Sequence, residues 1–348
     1  MTSYERVIAA VSCQEPDRVP VLLLMPLHGA RELGMPRPQY LRDPSAMAEG
    51  QARLLGRYGH DCVYAFSYGA AEAEAFGAPV ESYDDGPPNV AQPPLQSDGD
   101  ITRLEPPEPA QCPALARTLE FIGLLAARFK GQVPILANVI APVSLPVMLL
   151  GMERWLELLL FGDPGVRNHL LIVCETFCVR WAQAQLAAGA DAIGYFEPMA
   201  SPEITTPAQF RGYALPALRR VAGQVSAPLV FSTAGARNLR IAREVAQAGA
   251  AAILASAADD LAELKRQAQR KMAVAGNLNN IAMVNWEPAQ AEREVKRCIA
   301  AGAAGGGYLL CDQHGEIAWD TAPAVLSAIA DAAHRWGAYP LESREVAS

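Results

Sequence analysis

The 348-residue chain is 51% hydrophobic and 19% charged, with a formal net charge of −8 and a pI near 5.3. That composition describes a globular chain able to bury a large core, and it carries no concentrated Lys/Arg face of the kind that nucleic acid or an anionic membrane requires. The opening "MTSYERVIAAVSCQEPDR" scatters Glu5, Arg6, Glu15, Asp17 and Arg18 around a short apolar stretch, so it reads as neither a signal peptide nor a spanning helix, and a cytoplasmic protein is expected.

Taken in chain order, apolar runs of strand length alternate with helical patterns. The strand candidates are "VPVLLLM" (19–25), "HDCVYAF" (60–66), "VPILANV" (133–139), "DAIGYFE" (191–197), "PLVFSTA" (228–234), "AAILASA" (251–257), "KMAVAG" (271–276) and "GGYLLCD" (306–312). Most are continuously apolar, the pattern of parallel strands covered on both faces. Between them, "PALARTLEFIGLLAARF" (113–129), "PAQFRGYALPALRRVAGQV" (207–225) and "LAELKRQAQRK" (261–271) have the period of amphipathic helices, and several helices run up to a glycine just before the next strand. Eight such units predict a single (β/α)8 barrel with an N-terminal helical extension, spanning residues 1–348 as one domain. The alternative is an open doubly wound sheet. Residues 82–113, rich in proline and acids, break the rhythm and are expected as a surface excursion. Glycine clusters such as "AGAAGGGYLL" precede strands instead of following them, so they serve barrel closure rather than a dinucleotide fingerprint.

A barrel carries its chemistry where strands end. That criterion selects His28, Ser67 and Tyr68, Asn138, Glu197, Ser232, Ser256, Asn277 and the run Cys311-Asp312-Gln313-His314. The last run, within "GGGYLLCDQHGEIAW", puts a thiol, an imidazole and carboxylates together. His314, flanked by Asp312 and Glu316, is the leading acid/base candidate. Cys311 is either a packing thiol or a ligand, and Asp312 either caps a turn or orients His314. Seven cysteines without a CxxC pair suit a reducing compartment.

Three segments, "CQEPDRVPVLLLM", "GADAIGYFEPMASPEITTPAQFRGYALPALRRV" and "GYLLCDQHGEIAWDTAPAVLSAIADAAHRW", resemble the uroporphyrinogen decarboxylase superfamily, and the middle one is more similar to its corrinoid-linked methyltransferases. The resemblance implies a (β/α)8 barrel. Haem-pathway members hold substrate carboxylates with arginines of an M-R-Q-A-G-R-like segment and place an aspartate after the second strand. Here "MPLHGAREL" keeps only Arg31, and Tyr68 stands where the aspartate is expected, which argues against uroporphyrinogen itself as substrate. Thiol-methylating members bind zinc through His-x-Cys and a later Cys. This chain reads Ser232-Thr233-Ala234 at the first pair, so zinc is not expected unless Cys311, His314 and Glu197 rebuild the site. The resemblance thus implies methyl transfer involving a methylcobamide, with a corrinoid protein as partner, at a site of His314, Tyr68 and Glu197 as catalytic groups. Arg31, His28, Asn138, Ser232, Asn277 and Asp312 would bind the small-molecule substrate. A decarboxylase or lyase acting on a small carboxylate, or a non-catalytic binding protein, is the alternative.

Overall fold

A computed structural model describes residues 1–83 and 86–341. Among the described residues there are nine strands: β1 (Val63–Tyr64), β2 (Val80–Glu81), β3 (Asn89–Val90), β4 (Ile135–Ile140), β5 (Ala192–Phe196), β6 (Leu229–Ser232), β7 (Ala252–Leu254), β8 (Ala273–Ala275) and β9 (Tyr308–Leu309). Seven of them pair in parallel in the order β1-β4-β5-β6-β7-β8-β9. The predicted first strand, 19–25, closes the ring between β9 and β1. Leu22 N donates to Leu310 O at 2.8 Å and Leu310 N to Pro20 O at 2.9 Å, while Asp61 N donates to Val21 O at 2.7 Å. This stave keeps only an isolated bridge, Val21 to Leu310, because Pro20 has no N–H to extend the ladder. The fold is the (β/α)8 barrel that the strand count predicts.

Alternation along the strands separates two cores. Leu22, Leu24, Cys62, Tyr64, Leu136, Leu254, Leu309 and Cys311 pack together inside the barrel, whereas Val21, Leu23, Val63, Ile135, Tyr195 and Leu310 pack outward against the helices. The helix Ser3–Val11 forms the floor: a capping box between Thr2 and Glu5 starts it, and its Val7 and Ala10 join the inner cluster. A buried ion network locks that end. Asp61 accepts from Arg6 Nη1 at 2.7 Å, Arg18 Nη1 at 2.6 Å, Ser3 Oγ at 2.9 Å and Val21 N at 2.8 Å.

Gly305, Gly306 and Gly307 all take left-handed φ angles, 75°, 70° and 69°. A Cβ on Gly306 would collide with the backbone of Gln14, so this cluster serves closure of the chain over the barrel floor. Among the described residues of the stretch expected as an excursion, 82–113, β3 pairs antiparallel with the preceding β2, Ser97 caps the helix Asp98–Thr102, and a 3-10 turn spans Pro109–Gln111. The helix Pro113–Phe129 forms where its apolar period places it. The pattern over 207–225 instead divides into Pro207–Gln209, a π-helical turn at Phe210–Ala214, and Leu215–Ala222.

Candidate active site at the barrel mouth

The loop after β9 crosses the C-terminal mouth. Asp312 is buried and its Oδ1 accepts from His314 N at 2.8 Å and Gly315 N at 2.7 Å, which folds the loop into a tight turn. Gln313 anchors it across the barrel: its Oε1 accepts from Ala257 N at 2.8 Å, and its Nε2 donates to Asn280 Oδ1 at 3.2 Å. Ile317 N returns to Leu24 O at 2.9 Å. Gly315 (φ 94°) takes a conformation that disfavours other residues, and a Cβ there would touch both Leu24 and Leu254 at 3.9 Å. The loop therefore lies over the axis. The His314 ring meets Phe196, on the far side of the ring of strands, edge-on at 6.0 Å.

Beneath this loop is a group of protonatable side chains in which no arginine or lysine offsets the carboxyls. Burial and then the neighbouring Asp312 raise the Glu316 carboxyl to about 7. Asp312 is also raised by burial, against the opposing pull of its backbone donors and of His314. Burial pushes the Tyr64 phenol well up, with Glu316 and Asp312 adding to the effect. Tyr64 stacks on Phe66 at 5.6 Å. The arrangement is a proton-holding pair of carboxyls walled by aromatic rings, the kind of environment that lets a carboxylic acid donate near neutral pH.

The structure sorts the residues expected from sequence. Asp312 and His314 share the mouth, and Ser232 and Asn138 lie on inward-facing positions of β6 and β4. The Cβ of any residue replacing Gly194, the partner of Asn138 in β5, would collide with Asn138 Oδ1, so this close approach needs glycine. Glu197 stands apart. Its neighbour Phe196 faces the lumen, so Glu197 points outward, where Val143 N donates to it at 3.1 Å and Ser144 Oγ donates to its other oxygen. Burial raises it to about 7, and it works as a loop staple. Asn277 holds a turn, its Nδ2 donating to Ser256 O at 2.8 Å. Arg31 is not free as an anion anchor: it donates to the carbonyls of Trp319 and Thr321 and lies 4.4 Å over the Trp319 ring. His28 is buried 5.8 Å from the same ring, and burial together with Arg31 lowers it to about 4, so it is neutral near pH 7. Tyr68 donates to Glu74 Oε1 at 2.5 Å and lines a separate cavity beside the hairpin. Tyr64 and Phe66 lie inside the predicted strand 60–66, where nothing in the apolar run marks which residues face the lumen. Glu316 was visible only as a flank of His314.

Among the described residues no three His, Cys, Asp or Glu side chains gather as a metal centre. The set Cys311, His314 and Glu197 is divided by the sheet itself. Burial and Asp312 also push the Cys311 thiol well up, away from the thiolate that zinc binds. The residues present do not fit the zinc site of the thiol-methylating members.

A parallel barrel with its polar groups gathered where the strands end is the architecture of (β/α)8-barrel enzymes. The sequence profile described as uroporphyrinogen decarboxylase (URO-D) matches residues 2–336: the chain belongs to that family, whose members include decarboxylases and methyltransferases. It is 26% identical over 355 residues to the uroporphyrinogen decarboxylase of Mycobacterium marinum, covering 94% of this chain and 96% of that one. To the enzyme of the same name from Nocardia farcinica it is 27% identical, covering 94% and 95%. Among solved structures, a methyltransferase from Methanosarcina mazei superposes with a TM-score of 0.87 at 20% identity, covering 96% of this chain and 99% of that one. A B12-independent methionine synthase from Shewanella superposes with a TM-score of 0.55 at 12% identity. At these identities the structural likeness speaks for the fold.

Proposed function

We propose that this protein is a methyltransferase that moves a methyl group between a small substrate and a corrinoid co-substrate presented at the barrel mouth by a partner protein. The observation that carries the reading is the Asp312/Glu316 pair: one buried and one half-buried carboxyl, the latter raised to about 7, with no arginine or lysine beside them. Such a site suits proton donation and is poorly suited to a polycarboxylate substrate, which needs several cations. The likeness to the Methanosarcina mazei methyltransferase over nearly the whole chain supports the same reading.

Demethylation of a small ether or amine breaks a methyl–heteroatom bond and leaves the electron pair on the heteroatom. A reduced corrinoid presented at the mouth would supply the electron pair that takes the methyl group. Glu316 gives its carboxyl proton to the departing heteroatom, and the aromatic walls from Tyr64, Phe66 and Phe196 exclude water from the exchange. His314, at the rim of the mouth, passes a replacement proton from solvent. Asp312 holds the loop in place and, as a like charge, keeps the Glu316 carboxyl protonated up to neutral pH.

The test is to offer cob(I)alamin with small methyl ethers and amines, and separately methylcob(III)alamin with acceptors, while following the cobalt spectrum. Substrate-dependent conversion is expected. A second reading, decarboxylation of a small acid, is favoured by the name of the curated relatives and by the same proton donor, which would quench a carbanion. Release of CO2 from a small carboxylic acid, with no corrinoid conversion for any substrate, would replace the first reading with this one.

A further inference from the structure

Away from the mouth loop, a cavity of about 200 Å³ opens between four segments of the chain. Arg42 and Leu41 follow the helix Arg37–Tyr40, Glu74 belongs to the helix Ala70–Ala75, Val80 and Ser82 come from the hairpin, and Arg117 from the helix Pro113–Phe129. None of the residues 312–316 lines it.

The charges in this cavity do not balance. Elsewhere on the surface, several arginines meet carboxylates, as Arg220 does with Glu175 at 2.7 Å and Arg211 with Glu244 at 2.9 Å. Arg42 and Arg117 enter no ion pair among the described residues, and Arg42 makes only a long contact, 3.5 Å, to Ser82 Oγ. The one carboxylate in the wall, Glu74, accepts the Tyr68 hydroxyl at 2.5 Å. Burial and Glu74 together hold Tyr68 in its phenol form, and Arg117 acts on the same oxygen in the opposite sense. Two guanidinium groups therefore face one carboxylate that already has a donor. Pro38, Leu41, Ala78, Val80 and Pro88 supply the smaller, apolar share of a mostly polar wall.

We propose that this cavity binds a small monocarboxylic acid, its carboxylate held by Arg42 and Arg117 and its short apolar body packed against Leu41, Ala78 and Val80. Planar guanidinium forks match a carboxylate in geometry and charge. A dry cavity of about 150 Å³ takes a benzene ring, so this one has room for an acid of roughly eight non-hydrogen atoms. The site is independent of the methyl-transfer reading, because it shares no residue with the mouth.

Calorimetric titration with butyrate, 2-methylpropanoate and benzoate, each beside its neutral amide, tests the assignment. At least one acid should bind where its amide does not. Arg42→Gln and Arg117→Gln, checked for folding by circular dichroism, should each weaken that acid by roughly 10- to 100-fold, the loss of a charge-assisted hydrogen bond. Glu316→Gln, altered only at the mouth, should leave it unchanged. The proposal is overturned if no acid in the panel binds, if acid and amide bind alike, if binding survives the double arginine variant, or if it is lost in Glu316→Gln.

Discussion

Asp61 and Asp312 are buried to the same degree, 0% and 1% exposed, at opposite ends of one barrel, yet their surroundings have opposite chemistry. At the floor, Asp61 meets two arginines, a hydroxyl and a backbone N–H, and the nearby Asp17 is drawn down to about 2 by its hydrogen bonds to Arg6. At the mouth, Asp312 has two backbone donors and the Cys311 thiol but no arginine, and beside it Glu316 is raised to about 7. The floor spends its carboxylate on tying the helix Ser3–Val11 and the run from Arg18 to Val21 to the segment of Asp61. The mouth holds its carboxyls with no arginine to offset them, which on the proposed reading leaves them as a proton reserve. The lesson is the familiar division of barrels into a stability face and a chemistry face, here visible in the partners of a single residue type.

The largest effect that would sharpen this contrast is on catalysis. Glu316→Gln should lower kcat for methyl transfer by about 10²- to 10⁴-fold, the range for removal of a general acid. Because the donor must be protonated and its carboxyl is raised to about 7, wild-type kcat should fall as pH rises through about 7. That alkaline limb should vanish in the variant, and a limb that persists there would move the donor role elsewhere. Next in size is Asp61→Ala, which leaves Arg6 and Arg18 without their shared carboxylate and should cost roughly 3–5 kcal/mol in urea unfolding. Asp312→Asn orphans no cation and should cost less than half as much. Equal losses would break the comparison of the two ends.

A smaller effect is the pH dependence of stability itself. Glu72, Glu197 and Glu316 are raised from 4.5 to about 8, 7 and 7 by burial. The folded chain therefore holds protons that the unfolded chain has released. Their contribution is fully present below about pH 4.5 and is lost as pH rises through 7 to 8. Asp17 has the opposite sign: its contribution is present above about 3.8 and lost as pH falls towards 2. Thermal melts should thus decline on both sides, the acid side from the floor and the alkaline side from the buried carboxyls. Glu72→Gln should flatten the alkaline decline, and an unchanged slope would remove Glu72 from the account. Smallest is His314→Gln. If Glu316 is the inner donor, this change should cost less than the roughly 10²-fold lower bound for losing a general acid; a loss matching that of Glu316→Gln would make His314 the donor.

Much of the fold was legible in the linear pattern. Runs such as "DAIGYFE" and "AAILASA" are apolar on both faces because each strand is covered by lumen packing on one side and helices on the other. The glycines ahead of them mark where helices stop. The placement of chemistry at strand ends was legible for the same reason, and so was the tail that carries Asp312 and His314. What tertiary structure decided was the phase. Phe196 and Glu197 are adjacent, and pleating sends one into the lumen and the other to Val143 and Ser144. Arg31 was unreadable as well, since the carbonyls it binds lie 288 and 290 positions away. Tyr68 likewise follows the second stave but turns towards Glu74 and the side cavity. Composition and periodicity report how much of a segment is buried, because burial averages over many residues. The direction of one side chain depends on a single step of the pleat and on partners brought in from distant chain, which only the closed barrel supplies.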